Sequence, residues 1–394
     1  MRILVLNSGS SSLKFKLFNM HTHQCLCSGM IEKIAEEESL VSLNIQEEKK
    51  IDKTLFIKDH HEALDTIFDM LFEAGVLVSL DELSAVGHRV VHGGEFYSKA
   101  QILDEHVVET LKTLIPLAPL HNPANISGIE AVSQKSSFLK QVAVFDTAFH
   151  QSMPAKAYTY ALPLSMYTED KIRRYGFHGT SHAYILKESA KLLEKETSKT
   201  NIISLHLGNG ASVCAIKEGK SVDTSMGFTP LEGLVMGTRS GDIDPAIIFY
   251  LHEQKGHSLK EIDKILNKSS GLLGLCGEND MRLILDKAKE NNQYALALDI
   301  FVYRIKKYIG AYCLVLEKVD AIVFTGGIGE HSALVREKVC SNLEIIGVGL
   351  DKIKNSAKLN KSLEIQKNDS KIKLYVIETN EELEIALQTK ELLI

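Results

Sequence analysis

The chain has 394 residues, with 45 Lys and Arg against 51 Asp and Glu, which gives a formal net charge of −6. Hydrophobic residues make up 44% and charged residues 24%. This balance is typical of globular proteins and excludes disordered and fibrous classes. At roughly 150 residues per domain, the length predicts two or three domains that need no disulfide bonds or metals for stability. The acidic excess argues against a nucleic-acid partner, which requires a basic face.

No segment of the sequence predicts a membrane span or a secretory signal. The longest nearly uninterrupted apolar run, residues 309–316, is far shorter than the ~20 residues of a spanning helix. Only residues 3–6 are apolar near the N-terminus, whereas a signal peptide has roughly 7–15 such residues. The six cysteines form no C-x-x-C pair, which favours free thiols in a reducing cytoplasm. We therefore expect no membrane partner and a cytoplasmic location.

In the first part of the chain, residues 3–6 and 13–18 are typical of two short strands, joined by a loop of small residues at 7–12. Strand, tight turn and strand together predict a hairpin. Residues 62–76 have the periodicity of an amphipathic helix, and Asp104 is placed to cap a second helix. The apolar run 142–145 predicts a buried strand that ends at Asp146.

The second half begins in the same way. Residues 202–207 and 213–216 predict two strands, joined by a small-residue turn at 208–212. These two hairpins indicate an internal duplication of a unit with three strands and helices. A long helix is predicted over 295–319, a buried strand over 321–324 and a polar surface loop over 359–371.

Three small-residue turns are candidates for phosphate binding, because backbone N–H groups can hold an anion without net charge. They are the 7–12 loop, the turn at 208–210 and the glycine-rich segment 326–330. Lys14 follows the first turn and could reach a β- or γ-phosphate. Ordinary turn chemistry is the alternative explanation for each. A P-loop or Rossmann assignment lacks its fingerprint, since no G-x-x-x-x-G-K-[ST] occurs and Ser332 interrupts G-x-G-x-x-G.

Residues 7–15 (NSGSSSLKF) resemble the opening signature of the acetate kinase family. Further blocks that resemble the family follow in order along the whole chain: GHRVVHGG at 87–94, FDTAFH at 145–150, RRYGFHGTSH at 173–182, DTSMG at 223–227, MGTRSGD at 236–242 and TNEE at 379–382.

The resemblance implies an α/β fold of two duplicated actin-like (ribonuclease H-like) ATPase domains, with the active site in the interdomain cleft. The implied N-terminal domain is 1–150, completed by a C-terminal helix at 381–394. The implied second domain, 151–380, would bind the nucleotide and form a homodimer. We expect hinges near 147–155 and in the early 380s.

The implied activity is reversible, Mg²⁺-dependent, direct in-line transfer of a phosphoryl group from ATP to acetate, which gives acetyl phosphate and ADP. The resemblance assigns substrate binding to Arg89 and catalysis to Asp146, His178 and Arg239. Guanidinium groups suit two anionic reactants because they bind carboxylate and phosphate bidentately. Acetate is already ionised near neutral pH. Asp146 is therefore expected to orient an arginine or the water shell of Mg²⁺ rather than to remove a proton.

The remaining assignments concern the nucleotide and the metal. Besides Lys14, the expected ATP contacts are His206, Leu207, Gly208, Asn209, Gly210, Asp280, Met281, Arg282, Gly326, Gly327, Ile328, Gly329 and Glu330. The resemblance assigns Mg²⁺, for which Mn²⁺ could substitute, to Asn7 and Glu381, with the adjacent Glu382 as the alternative. Because Asn7 and Glu381 are at opposite ends of the chain, the C-terminal segment is expected to fold back beside the first hairpin.

Two other functions remain open from the residues alone. A propionate or butyrate kinase would share the catalytic residues and differ only in apolar pocket contacts, which a sequence does not reveal. A nucleotide-switched binding protein would need the phosphate turns without the arginine pair, the histidine and the aspartate.

Overall fold

The computed structural model describes residues 1–46 and 49–394, which form two compact units. The first unit comprises Met1–Phe149 and Asn380–Ile394, and the second comprises His150–Thr379.

The first unit is built on an eight-stranded sheet with the order β5-β4-β3-β2-β1-β6-β8-β7. Its strands are β1 (Arg2–Ser8), β2 (Ser12–Asn19), β3 (Gln24–Glu32), β4 (Ser39–Ile45), β5 (Lys49–Leu55), β6 (Ala85–Val90), β7 (Gln101–Ile102) and β8 (Gln141–Phe145). The predicted hairpin is present as β1 and β2, which pair antiparallel. Strand β6 runs parallel to β1, and β8 runs parallel to β6. The carboxyl ends of these three strands therefore lie at the same edge of the sheet.

Helices cover this sheet. They are α1 (His60–Glu73), α2 (Glu105–Thr113) and α3 (Asn122–Lys135). The side chain of Asp104 caps α2 by accepting a hydrogen bond from the backbone N–H of Val107 at 2.8 Å, as predicted. Helix α1 ends before the predicted residue 76, because Gly75 adopts a left-handed conformation with φ of 69°.

The second unit has a six-stranded sheet with the order β11-β10-β9-β12-β14-β13. Its strands are β9 (Ile202–Leu207), β10 (Ala211–Lys217), β11 (Lys220–Thr224), β12 (Ala321–Thr325), β13 (Ser362–Glu364) and β14 (Lys373–Ile377). Its α-helices are α4 (Ala155–Tyr158), α5 (Leu164–Thr168), α6 (Gly179–Leu192), α7 (Ala246–Glu253), α8 (Leu259–Lys268), α9 (Gly271–Cys276), α10 (Met281–Lys287), α11 (Asn292–Leu316), α12 (Gly326–His331), α13 (Ala333–Cys340) and α14 (Lys352–Asn355). Short 3₁₀ helices occupy Leu80–Glu82, Ile115–Leu117, Ala148–Ser152, Thr197–Lys199 and Glu344–Ile346.

The two sheets share one topology. The order β3-β2-β1-β6-β8 in the first unit corresponds to β11-β10-β9-β12-β14 in the second. In both, the first three strands pair antiparallel and the last two run parallel to the central strand. The predicted α/β fold with an internal duplication is confirmed.

The last helix, α15 (Glu381–Leu393), belongs to the first unit. Ile385 and Ala386 pack in one apolar cluster with Ile3 and Val5 of β1. A Cβ atom at Gly87 of β6 would lie 2.6 Å from Thr389 Oγ1 and 2.9 Å from Ile385 Cγ2. The close approach of α15 to the sheet therefore requires glycine at this position.

Two further boundary predictions were wrong. The segment 359–371, predicted as a loop, contains strand β13, which pairs antiparallel with β14. The long helix α11 ends at Leu316 rather than at 319, because Glu317 leaves the helical region with φ of 63°. Among the helices in the described ranges, none is long and apolar enough to cross a membrane.

Candidate functional site

Arg89 and Asp146 form a buried ion pair at the sheet edge of the first unit. Arg89 is near the end of β6, and Asp146 directly follows the parallel strand β8. Arg89 Nη2 lies 2.7 Å from Asp146 Oδ2, and Arg89 Nε lies 3.1 and 3.2 Å from the two carboxylate oxygens. The Asp146 side chain is 2% exposed and that of Arg89 is 23% exposed. The Asp146 carboxylate raises the pKa of the Arg89 guanidinium and fixes its orientation. The remaining nitrogen of the guanidinium, Nη1, is directed away from Asp146.

Asn7 and Glu381 lie beside this ion pair. Arg89 Nη1 donates a long hydrogen bond of 3.5 Å to Asn7 Oδ1. Glu381 is the first residue of α15. Burial raises its pKa to about 7, Arg89 opposes this shift, and the carboxylates of Asp146 and Glu382 reinforce it. The structure therefore brings Asn7, Arg89, Asp146 and Glu381 together, and the C-terminal segment does return to the first hairpin.

Glu382 has a different partner from Glu381. Its carboxylate lies 3.0 Å from Nζ of Lys16 on β2. Lys14, two residues earlier on the same strand, is exposed and lines a shallow groove together with Lys16 and Glu382. Lys16 was missed by the sequence analysis because nothing local marks a lysine as the partner of a residue 366 positions away.

The oxygen donors of this cluster fit Mg²⁺, which prefers carboxylate and amide oxygens. Over residues 1–46 and 49–394, no group of three or more His, Cys, Asp or Glu side chains could hold a metal ion. This agrees with the usual binding of Mg²⁺ through one or two carboxylates, water and substrate phosphates rather than through a protein cage. The negative charges of Asp146 and Glu382, which add to the effect of burial on the pKa of Glu381, would be offset by a nearby cation.

The second unit contains a separate cluster around His178. This residue precedes α6 and has a left-handed backbone with φ of 57°, so His178 and His182 do not lie together on one helix. His178 Nδ1 lies 2.9 Å from Ser212 Oγ. Its ring stacks on that of His206 with centroids 4.2 Å apart, and His206 Nδ1 lies 2.8 Å from Ser181 Oγ.

The turn at 208–210 packs against the segment that carries Arg239. The backbone N–H of Gly237 donates to the carbonyl of Asn209 at 2.9 Å. A Cβ atom at Gly237 would lie 1.8 Å from Asn209 Oδ1, so this approach requires glycine. A Cβ atom at Gly210 would lie 3.6 Å from Arg239 Nη1 and 3.7 Å from His178 Nε2. The glycine turn, Arg239 and His178 thus lie around one point.

Arg239 is a partly buried cation without an acidic partner among the described residues. Its Nη1 donates to the carbonyl of Pro230 at 3.3 Å and contacts Met236 Sδ at 3.8 Å. Burial lowers the pKa of the guanidinium. In the part of the chain that the structure describes, no carboxylate forms an ion pair with it. A cation in such a setting favours the binding of an anion.

The glycine-rich segment after β12 forms the start of α12. Gly326 has φ of 75°, and a Cβ atom there would lie 2.9 Å from the carbonyl oxygen of the buried Leu207. Glu330 is buried, and its Oε1 accepts hydrogen bonds from the backbone N–H groups of Gly326 at 2.8 Å and Thr379 at 3.0 Å. The carboxylate of Glu330 therefore forms its hydrogen bonds within the protein. At Gly327 a Cβ atom would have open space around it.

Asp280 and Arg282 make local contacts. Asp280 caps α10 by accepting from the backbone N–H of Arg282 at 2.9 Å, and the two side chains form an ion pair of 2.6 Å. The side chain of Arg282 is 90% exposed, and Met281 is buried. Their role as nucleoside contacts stays a prediction.

Ser212, Ser181 and His182 support the predicted site but were not identified as functional from the sequence. His182 Nε2 lies 2.9 Å from Ser212 Oγ, the same hydroxyl that contacts His178. The strand–turn–strand pattern marked the turn, but not which side chains of β10 face α6.

The comparisons with known proteins agree over the whole chain. The model of the acetokinase family matches residues 2–387. An acetate kinase of Sulfurovum sp. is 53% identical over 392 residues, which cover 99% of this chain and 98% of that protein. The crystal structure of an acetate kinase from Porphyromonas gingivalis has a TM-score of 0.96 and 43% identity, with all of both chains covered. The structure of a propionate kinase from Francisella tularensis has a TM-score of 0.92 and 47% identity, with 98% of each chain covered.

Proposed function

Because the chain belongs to the acetokinase family, we propose that it is an acetate kinase that transfers the γ-phosphoryl group of ATP to acetate. The products are acetyl phosphate and ADP, and the reaction is reversible. The observation that carries this proposal is Arg239, a partly buried guanidinium without a carboxylate partner among the described residues, beside His178 and a glycine turn. Such a point suits the charge of a phosphoryl group in transfer.

Arg89 binds the carboxylate of acetate in this proposal. Its Nε and Nη2 are engaged by Asp146, so the guanidinium is pre-oriented and loses little entropy when the substrate arrives. Acetate has no proton to lose near neutral pH. Asp146 therefore acts by holding the arginine, which is the role expected from the sequence.

His178 and Arg239 stabilise the phosphoryl group as it moves in line between the carboxylate oxygen and ADP. The backbone of Gly208, Asn209 and Gly210 approaches the phosphates, and the segment from Gly326 supports the adenosine side. Phosphoryl transfer needs positioning and charge stabilisation more than covalent chemistry. The side chains of His178 and Arg239 can position the phosphoryl group and stabilise its charge.

Asn7 and Glu381, with Asp146 nearby, would hold Mg²⁺, and Mn²⁺ could replace it. When bound, the ion neutralises charge on the phosphate oxygens so that the two anionic reactants can meet. Lys14 contributes further positive charge toward ATP.

We also propose that the protein is a homodimer formed through its second unit. Apolar side chains on α7 and α11 are exposed, among them Phe249, Tyr303 and Leu314, the last at 82%. Exposed apolar surface of this kind is typical of protein–protein contacts. All six cysteines are free thiols, which supports a working place in the reducing cytoplasm.

A second candidate substrate is propionate. The solved propionate kinase is 47% identical to this chain, and the solved acetate kinase of Porphyromonas gingivalis is 43% identical. One methylene in an apolar pocket changes the binding free energy by only ~1–3 kcal/mol. A measurement of activity with each acid is therefore needed to distinguish acetate from propionate as the substrate.

The test measures acyl phosphate, trapped as its hydroxamate, with ATP, Mg²⁺ and acetate, propionate or butyrate. We expect the highest kcat/KM with acetate, and a higher value with propionate would move the assignment to the second candidate. Arg239→Gln should lose activity with all three acids. Lys199→Gln, which removes an exposed cation of the same unit, is the matched control for charge. ATP turnover that does not depend on any acid would contradict the kinase and favour a nucleotide-switched binding protein.

A further inference from the structure

A chain of hydrogen bonds continues behind His178 in the second unit. Ser212 Oγ lies 2.9 Å from His178 Nδ1 and 2.9 Å from His182 Nε2. The other ring nitrogen of His182, Nδ1, lies 2.9 Å from Ser204 Oγ. Ser204, Ser212 and His182 are fully buried, so water does not compete for these hydrogen bonds.

The number of protons in this chain limits its arrangement. Burial lowers the pKa of His182 well below the usual value, so its ring is neutral and carries one N–H. The hydroxyl of Ser212 has one proton and can donate to only one of its two histidine neighbours. Ser212 therefore couples the protonation of His178 to that of His182: it donates either to His178 Nδ1 or to His182 Nε2.

The charge around His178 limits its protonation state, and the proposed reaction then distinguishes the two arrangements. The point defined by a Cβ atom at Gly210 is within 3.7 Å of both His178 Nε2 and Arg239 Nη1. A second cation this close to the partly buried guanidinium of Arg239 is unfavourable, which favours a neutral His178. A neutral His178 can carry its hydrogen on either nitrogen, but it can donate from Nε2 to an anionic phosphoryl group only when Nδ1 is the acceptor. This requires Ser212 to donate to His178 and to accept from His182.

We propose that Ser212 and His182 are positioning residues that hold His178 as its Nε2–H tautomer. A neutral ring then donates a hydrogen bond to the transferred phosphoryl group. Donation runs from Ser204 to His182, from His182 to Ser212 and from Ser212 to His178. The choice of tautomer rests on the proposed function, because it is the phosphoryl group that requires a donor at Nε2, whereas the chain of hydrogen bonds does not.

The test combines ¹⁵N NMR of histidine-labelled full-length protein with steady-state kinetics. A His178→Gln variant identifies the His178 signals. We expect the Nε2–H tautomer of a neutral ring in the parent protein at neutral pH, and a mixture of tautomers in Ser212→Ala. Because a small displacement of a catalytic group costs up to about 100-fold, kcat of Ser212→Ala should fall by about 10- to 100-fold. KM for acetate and ATP should stay within about twofold.

Two further variants separate positioning from general packing. Ser212→Thr keeps the hydroxyl and should restore the tautomer and most of kcat. Ser189→Ala removes another buried hydroxyl from α6 and should change neither. A His178 that is protonated on Nδ1 in the parent protein, or a Ser212→Ala variant with unchanged tautomer and kcat, would overturn the inference. If the protein forms no acyl phosphate while Ser212 still controls the tautomer, the proposed function fails and the tautomer assignment stands.

Discussion

The substitution Asp146→Asn tests whether the buried carboxylate orients Arg89. It removes one charge and one acceptor oxygen, and with that oxygen one or two of the three contacts of 2.7–3.2 Å that hold Arg89 Nε and Nη2. Without this anchor the guanidinium can move by ~1 Å or more, a displacement that costs about 100-fold in rate. This equals about 3 kcal/mol of transition-state stabilisation.

The same change also affects folding. Breaking a buried pair by removing one partner costs ~3–5 kcal/mol. The Arg89 side chain is 23% exposed and can be partly solvated, so we expect a loss near the lower end of that range. Thermal unfolding measures this loss, and the hydroxamate assay measures kcat and KM. The KM for acetate should rise, and the KM for ATP should stay within about twofold.

A matched control is available in the first unit. Asp65 pairs with Lys135 at 2.6 Å, but its side chain is 53% exposed, and exposed pairs contribute ~0–1 kcal/mol. Asp65→Asn should leave both activity and stability almost unchanged. Parent-like kcat and KM in Asp146→Asn, or an equal loss in the Asp65 variant, would refute the orienting role. Arg89→Lys keeps the charge but not the planar fork and should also lose activity.

Three further predictions concern the packing and charge of the first unit. Gly87→Ala forces α15 away from β6, since the new Cβ would lie 2.6 Å from Thr389 Oγ1. We expect urea unfolding to show ~1–3 kcal/mol of destabilisation. An unchanged unfolding midpoint would contradict the close approach of α15 to β6. In a double-mutant cycle of unfolding, Lys16→Met and Glu382→Gln should show a coupling free energy of about 1 kcal/mol, because the ion pair is partly exposed. Additive effects of the two substitutions would mean that the contact contributes nothing to stability. Burial lowers the pKa of His88 to about 4 from its usual 6.5, so the unfolded chain binds more protons between these values. Stability should therefore fall by up to about 3 kcal/mol as pH drops from 6.5 to 4, and His88→Gln should flatten this part of the profile.

Much of the fold was accessible from local patterns. The hairpin of β1 and β2, the cap at Asp104 and the strand before Asp146 were predicted because alternation, capping and apolar runs depend on near neighbours in the chain. The repeat of strand, small turn and strand at 202–216 revealed the duplication for the same reason. Strand β13 was missed, since a three-residue edge strand with a single apolar residue shows no clear alternation and is ordered by pairing with β14.

Within the candidate site, residue types were accessible from the sequence, and their partners were not. Family blocks named Glu381 and Glu382 together, and only the packing of α15 on β1 and β6 turns one toward Arg89 and the other toward Lys16. Glu330 was expected at the nucleotide, whereas the tertiary structure commits its carboxylate to Gly326 and Thr379.

The amino-acid sequence by itself determined the family, the duplicated α/β fold and the short segments that carry charge and glycine. Tertiary structure alone decided how Arg89 is oriented by Asp146 and how His178 is connected through Ser212 to His182. Periodicity reports which face of an element is buried. The direction of each polar side chain depends on strand register and helix packing between residues that are far apart in the chain.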